Sequence, residues 1–212
     1  VGAGAVFSVT AISVAAVDEA SSFQFLTYRG ASTALAMVAL ILVRRGGRPV
    51  SFAGVTPTVW LAGFTLGGTS MLYILALSRT SAATTAFLLA AAPVFAALLG
   101  WIVLRERVER STWLAIGATT VGVAITVSAG LEVGSVSGLL FAGGIPVTIG
   151  LYSVVMGCGS GVDPVIPTLI AGSVLCVSAA VLALTQGGLG VSLRDGVLAC
   201  VSGGIALGLG LP

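Results

Sequence analysis

SAATTAFLLAAAPVFAALLGWIVLRERVER, residues 81 to 110, joins an uncharged apolar run to an abrupt basic cluster. From Ser81 to Leu104 there is no charged side chain, and at ~1.5 Å per helical residue the run exceeds the ~30 Å of bilayer hydrocarbon. It therefore reads as a tilted membrane span that ends at a cytoplasmic surface. Small residues at Ala82, Ala86, Ala90, Pro93, Ala97 and Gly100 recur every three or four positions, which predicts one face open to close approach by another helix. Pro93 lacks an N–H and should bend the span near its middle.

The rest of the chain has the same character. Apolar residues make up 57% and charged residues 8% of the sequence, against about 25% charged in soluble domains. So little polar surface cannot coat a soluble globule, and the chain reads as an all-α integral membrane protein in the lipid bilayer. All nine basic residues are Arg, His is absent and the net charge is +2, too small and scattered for nucleic-acid binding. Cys158, Cys176 and Cys200 have no metal or redox spacing and read as reduced, packed thiols. No metal or cofactor is expected.

Outward from the opening stretch, further runs follow the same rule. Val1 to Val17 is apolar and leads to an acidic turn, Asp18 and Glu19. A cleaved signal peptide is the alternative for this segment, without the usual basic n-region. Phe23 to Val43 is a second span, closed by Arg44, Arg45 and Arg48, and Thr58 to Leu77 a glycine-rich third. After the Arg105 to Arg110 cluster come Thr112 to Ser128, Gly138 to Gly157, Pro164 to Leu184 and the shorter run Gly196 to Leu211. Seven spans and part of an eighth are predicted. The absence of Met at position 1 and the stop at Pro212 read as a chain cut at both ends.

Basic residues of short loops stay on the cytoplasmic side. Loops after even spans, up to the fourth, hold Arg44, Arg45, Arg48, Arg105, Arg107 and Arg110, whereas loops after odd spans hold only Arg79 and Arg194. The N-terminus is expected in the cytoplasm. Asp18 precedes the second span as Asp163 precedes the seventh, and the glycine pair Gly63/Gly67 is echoed by Gly204/Gly208 at nearly the same separation along the chain. These matching offsets predict an internal repeat of five spans. Because five is odd, the second copy is inserted upside down, as in secondary transporters.

Leu75 to Ile125, LALSRTSAATTAFLLAAAPVFAALLGWIVLRERVERSTWLAIGATTVGVAI, resembles the signature of the EamA-type drug/metabolite transporter superfamily. A span ending in the pattern "AL..T.A" leads into a helix with a mid-span Pro, then "L.ER", then a glycine-spaced helix. Arg105 stands where the pattern usually has Gly, and Tyr28 with Arg29 matches an aromatic-Arg pattern of the family. The resemblance implies ten spans in two inverted five-helix units. Residues 1–130 would form the first unit and 136–212 an incomplete second, ending after part of span eight. It also implies secondary transport of small metabolites, such as amino acids or drug-like solutes, by alternating access in the plasma or inner membrane, with export the expected direction.

Arg29 is the one charge predicted inside a span, roughly 9 Å below its outer end. An arginine centred in lipid costs ~2.5 to 3.5 kcal/mol or more, so it should face protein or water. Snorkelling outward, or pairing with Asp18 or Glu19, is the structural alternative to a substrate role. Thr65, Thr69 and Tyr73 form a polar stripe on the third span, and Thr148 with Tyr152 a shorter one on the sixth, after Pro146. Thr69 and Thr148 fall near mid-depth, and Arg29, Thr69, Tyr73, Thr148 and Tyr152 are the candidate residues for binding a small-molecule substrate. Hydroxyls bonded to their own helix carbonyls are the competing reading.

Glu106, Arg107, Glu109 and their neighbours read as a solvated helix end. Gly157 to Gly161 reads as a turn, because no strand precedes it and no Lys follows for a phosphate loop. Membrane-embedded catalysis would need a base, and no His, Lys or carboxylate falls within a predicted span. The chain is therefore expected not to be an enzyme. A passive channel or a non-transporting membrane subunit is the remaining alternative to a transporter.

Overall fold

The computed structural model describes residues 12–14, 16–17, 20–44, 55–105, 110–128, 135–158, 163–186 and 188–208. Among them there is no strand. The helices are α1 (Ser22–Arg44), α2 (Pro57–Leu77), α3 (Ala82–Leu89), α4 (Ala92–Leu99), a π-helical turn (Gly100–Leu104), α5 (Arg110–Ser128), α6 (Val136–Cys158), α7 (Val165–Gln186) and α8 (Leu193–Gly208). Five stretches are long and apolar enough to cross a membrane: α1, α2, the combined run Ala82–Val103, α6 and α7. They are the second, third, fourth, sixth and seventh expected spans. The fifth and eighth expected spans are helical, as α5 and α8, but are not among these five. Most of the first, the Asp18 and Glu19 turn, Arg45, Arg48, Glu106, Arg107, Glu109 and residues 159–162 lie outside the described residues.

Residues 1–67 with 162–212 make one compact unit and residues 68–161 a second, the division falling between Gly67 and Gly68 inside α2. In the first unit, α1 packs antiparallel along α7. Met37, Ile41, Val165 and Leu169 form its core, flanked by Ala34, Ala36, Val38 and Leu40. Apolar burial alone does not drive helix pairing in lipid, so close backbone approach must supply the contact. Glycines provide it. A Cβ on Gly30 would stand 2.6 Å from the Cys176 nitrogen and 2.9 Å from the Gly172 oxygen, and one on Gly172 would stand 3.1 Å from the Gly30 oxygen. The two glycines thus face each other reciprocally. Their separation along the chain falls between that of Asp18 from Asp163 and that of Gly63 from Gly204.

A second pair of contacts repeats this relation. The first half of α2 runs parallel to α7, with Gly63 against Ile170 and Gly67 against the Ala171 backbone. In the same manner α8 runs parallel to α1, with Gly203 against Arg29, Ser32 and Thr33, and Thr33 Oγ1 donates to the Gly203 carbonyl at 3.4 Å. The close approach thus falls at Gly203, whereas a Cβ on Gly204 would meet open space. At the far end of α1, Arg44 lies 3.9 Å from Asp163, with both side chains about half exposed. Such a pair contributes at most ~1 kcal/mol.

In the second unit α2, α3 and α4 pack on α6, and α5 packs on α4. Gly138 abuts the Arg79 carbonyl, Gly144 the Leu72 side chain, and Gly150 the backbone of Phe95 and Ala96. The expected span Ser81 to Leu104 is interrupted twice. Ser81 caps α3 by accepting the Thr84 N–H, and α3 ends at Leu89, whose carbonyl would be the acceptor for the N–H that Pro93 lacks. Ala90 and Ala91 keep right-handed dihedrals, so the run bends without reversing. The π-helical turn then ends at Arg105, which has φ 54 and ψ 26 in the left-handed region.

One expectation is corrected here. Of the small-residue stripe, Ala82, Ala86, Ala90 and Pro93 are exposed, Ala97 is half-buried and Gly100 is buried, while Thr84 and Thr85 are buried. The first part of the small-residue stripe, as far as Pro93, is not the packing face. Methyl groups cost nothing against lipid, whereas hydroxyls need protein partners, and Thr85 Oγ1 donates to the Ser81 carbonyl at 3.1 Å. The cysteines also depart from the packed reading: Cys158 is the exposed last residue of α6 and Cys200 an exposed position on α8, with Cys176 half-buried on α7.

Candidate functional site

In the second unit, Thr69 on α2 donates from Oγ1 to Thr148 Oγ1 on α6 at 2.8 Å. Thr148 in turn donates to the carbonyls of Ile145 (2.9 Å) and Gly144 (3.2 Å), just before and within the turn that carries Pro146. The two expected mid-depth hydroxyls are therefore in direct contact. Their neighbours explain why: Leu72 against Gly144 and Arg79 against Gly138 set an antiparallel register in which positions 69 and 148 fall opposite. Arg79 places its guanidinium 5.1 Å from the Phe141 ring centroid, and its carbonyl accepts from Ser135 N and Oγ, each at 3.3 Å.

Tyr73 and Tyr152 each lie one turn, ~6 Å, beyond a threonine of this pair. Because the helices are antiparallel, the two tyrosines lie toward opposite ends of the unit. Tyr73 is buried and Tyr152 half-buried. Thr65, the third member of the α2 stripe, belongs to the first unit and donates to the carbonyls of Leu61 (3.0 Å) and Ala62 (2.9 Å) of its own helix.

Arg29 belongs to the first unit. It is 8% exposed, and its helix meets α8 at this level, since a Cβ on Gly203 would stand 2.5 Å from the Arg29 oxygen. The guanidinium stem is held within protein, as the cost of an arginine in lipid requires. Its neighbour Tyr28 donates its hydroxyl to the Leu189 carbonyl at 2.9 Å.

One buried charge was not expected within a span. Asp195 is 1% exposed and sits in the first turn of α8, because the helix begins at Leu193 and not at Gly196. The sign in the sequence was Ser192-x-x-Asp195, a helix-start pattern: the Asp195 N–H donates to Ser192 Oγ at 3.2 Å. Among the described residues no group of His, Cys, Asp and Glu is arranged to hold a metal ion.

Apolar helices of spanning length, glycine-mediated contacts and hydroxyls paired between helices define a multi-span helical membrane protein. The family model of the EamA-like transporter family matches residues 1–128, more than half of the 212 residues. The chain belongs to that family, within the drug/metabolite transporter superfamily, and is a membrane transporter of that type. Among curated proteins no match was found.

Proposed function

We propose that the chain exports small metabolites, amino acids or drug-like solutes among them, as a secondary transporter working by alternating access in the plasma or inner membrane, with a cytoplasmic N-terminus. The observation that carries this reading is the reciprocal contact of Gly30 with Gly172. Two helices that meet through equivalent positions of the two expected copies, each flanked by a parallel glycine-packed neighbour, are what an inverted repeat produces. Inverted repeats underlie alternating access in secondary transporters. On this reading residues 1–130 and 136–212 are the two copies, the second incomplete.

The substrate site is assigned to Arg29, Thr69, Tyr73, Thr148 and Tyr152. The Thr69 and Thr148 pair supports it: hydroxyls exchanging a bond can instead offer donors and acceptors to a polar solute at little net cost. Arg29 adds a cation suited to a carboxylate. The test is transport per correctly inserted protein in proteoliposomes, using amino acids and drug-like solutes as probes. Saturable flux with counterflow is expected, and a continuous pore would show neither. Arg29→Lys, Thr69→Val, Tyr73→Phe, Thr148→Val and Tyr152→Phe should change maximal rate or half-saturation. If all five match the parent while exposed α2 positions such as Phe64 do not, the site is assigned to the wrong residues.

A further inference from the structure

We propose that Gly67-Gly68 is a hinge, at which α2 bends and so turns the first unit relative to the second. Among the described helices α2 alone contributes to both units, and the division between them falls at this doublet. Its two halves are held by different partners. Before the doublet, a Cβ on Gly63 would stand 2.5 Å from Ile170 Cγ2 and one on Gly67 3.1 Å from the Ala171 oxygen, both on α7. After it, Thr69 bonds Thr148 at 2.8 Å and Leu72 lies against Gly144, both on α6.

The two glycines have different explanations. Gly67 is required by the backbone of α7 that approaches it. Gly68 is not required by packing, since nothing lies within 4 Å of a Cβ there. Nor does its backbone demand glycine, because among the described glycines only Gly188 has a positive φ. What glycine adds at 68 is backbone freedom, and small residues in succession are where helices kink and where hinges absorb a change of angle. Other open glycines of the described helices, such as Gly143 on α6, lie within a single unit. Gly68 alone of them adjoins the division.

The doublet recurs in α8. Gly203 lies against the Arg29 backbone as Gly67 lies against that of Ala171, and Gly204 is open as Gly68 is. Ala171 follows Arg29 along the chain at the same separation as Gly172 follows Gly30. These contacts pair Gly67-Gly68 with Gly203-Gly204, in place of the pairing of Gly63 with Gly204 that spacing alone suggested. A packed glycine followed by an open one thus stands at corresponding places of the two proposed copies. Bending at Gly68 leaves both sets of contacts intact, because α7 holds the residues before it and α6 those after it. As a consequence for transport, which rests on the alternating-access reading, Gly68→Ala should lower the maximal rate and leave half-saturation near the parent's.

The test places nitroxides at Val177→Cys on α7 and Ser153→Cys on α6, one exposed position in each unit, in the full chain with Cys158→Ser, Cys176→Ala and Cys200→Ser. Pulsed electron paramagnetic resonance in lipid nanodiscs then reads the distance distribution without any transport. The parent should show two distance populations, straight and bent α2 both being occupied. Gly68→Ala has room for its methyl group and should fold as the parent does. It should cut the minor population about fivefold, the ratio set by alanine's stronger helix preference. Gly143→Ala, which fills open space on α6 inside one unit, should leave both populations in place. A single population in the parent, a distribution unchanged by Gly68→Ala, or one narrowed as much by Gly143→Ala overturns the proposal. Absence of saturable flux of amino acids and drug-like solutes, in a parent with the expected distances, would instead fault the alternating-access reading.

Discussion

Arg105 shows how one residue can be legible and still conceal its cost. The family pattern usually has Gly at this position, and the structure supplies the reason: φ is 54, a conformation that glycine adopts freely and an L side chain resists by ~1 kcal/mol. Arg105→Gly should therefore stabilise the protein by roughly 1 kcal/mol, and the β-branched Arg105→Val should destabilise it, as read from thermal unfolding in one detergent. An unchanged or lowered melting temperature for Arg105→Gly would show that the arginine makes compensating contacts. The Thr69 and Thr148 bond invites a second measurement. Thr69→Val, Thr148→Val and the double variant form a cycle whose coupling energy should lie near ~0.6 to 1.5 kcal/mol, and a coupling of zero would mean that the hydroxyls do not bond in the membrane.

At the scale of elements, glycines divide into those that hold helices together and those that do not. Alanine is favoured over glycine in a helix by ~1 kcal/mol, so the sign of a Gly→Ala change reports the space around it. Gly68 has nothing within 4 Å of a Cβ, and Gly68→Ala should be neutral or stabilising. Gly30→Ala and Gly172→Ala drive a methyl into opposing backbone that cannot rotate away, a loss of ~1 to 3 kcal/mol. Denaturation in mixed micelles would separate the two classes, and a stabilised Gly30→Ala would place the α1 and α7 backbones further apart. Length and hydropathy made the helices themselves readable, since a bilayer sets one length scale. Which face of each helix packs was harder to read. Alanine serves lipid and protein equally, so the stripe Ala82, Ala86, Ala90 could not announce that it points outward, whereas Gly63 and Gly67 did mark a true approach. Asp195 was missed because a loop charge and a capped first turn share one spelling.

For the molecule as a whole, the offsets from Asp18 to Asp163 and from Gly63 to Gly204 seen in sequence meet their physical counterpart in the reciprocal contact of Gly30 with Gly172. Helix α1 ends at Arg44 beside Asp163 at the start of α7, and α1 and α8 begin together at the other end of the first unit. The proposed orientation follows from charge alone: Arg44, Arg45 and Arg48 follow α1, and Arg105, Arg107 and Arg110 follow the fourth span, and arginines in short loops are retained inside. By alternation Cys158, the exposed last residue of α6, then lies at the cytoplasmic surface. Cys200 is exposed too, but it falls within α8, which the proposed topology takes as the eighth span, and Cys176 is half-buried. An impermeant maleimide added to intact cells should leave all three unmodified, because thiol attack needs an aqueous thiolate. Inside-out vesicles should be labelled at Cys158, with the signal lost in Cys158→Ser and retained in Cys176→Ala and Cys200→Ser. Strong labelling of Cys158 from outside intact cells would reverse the orientation.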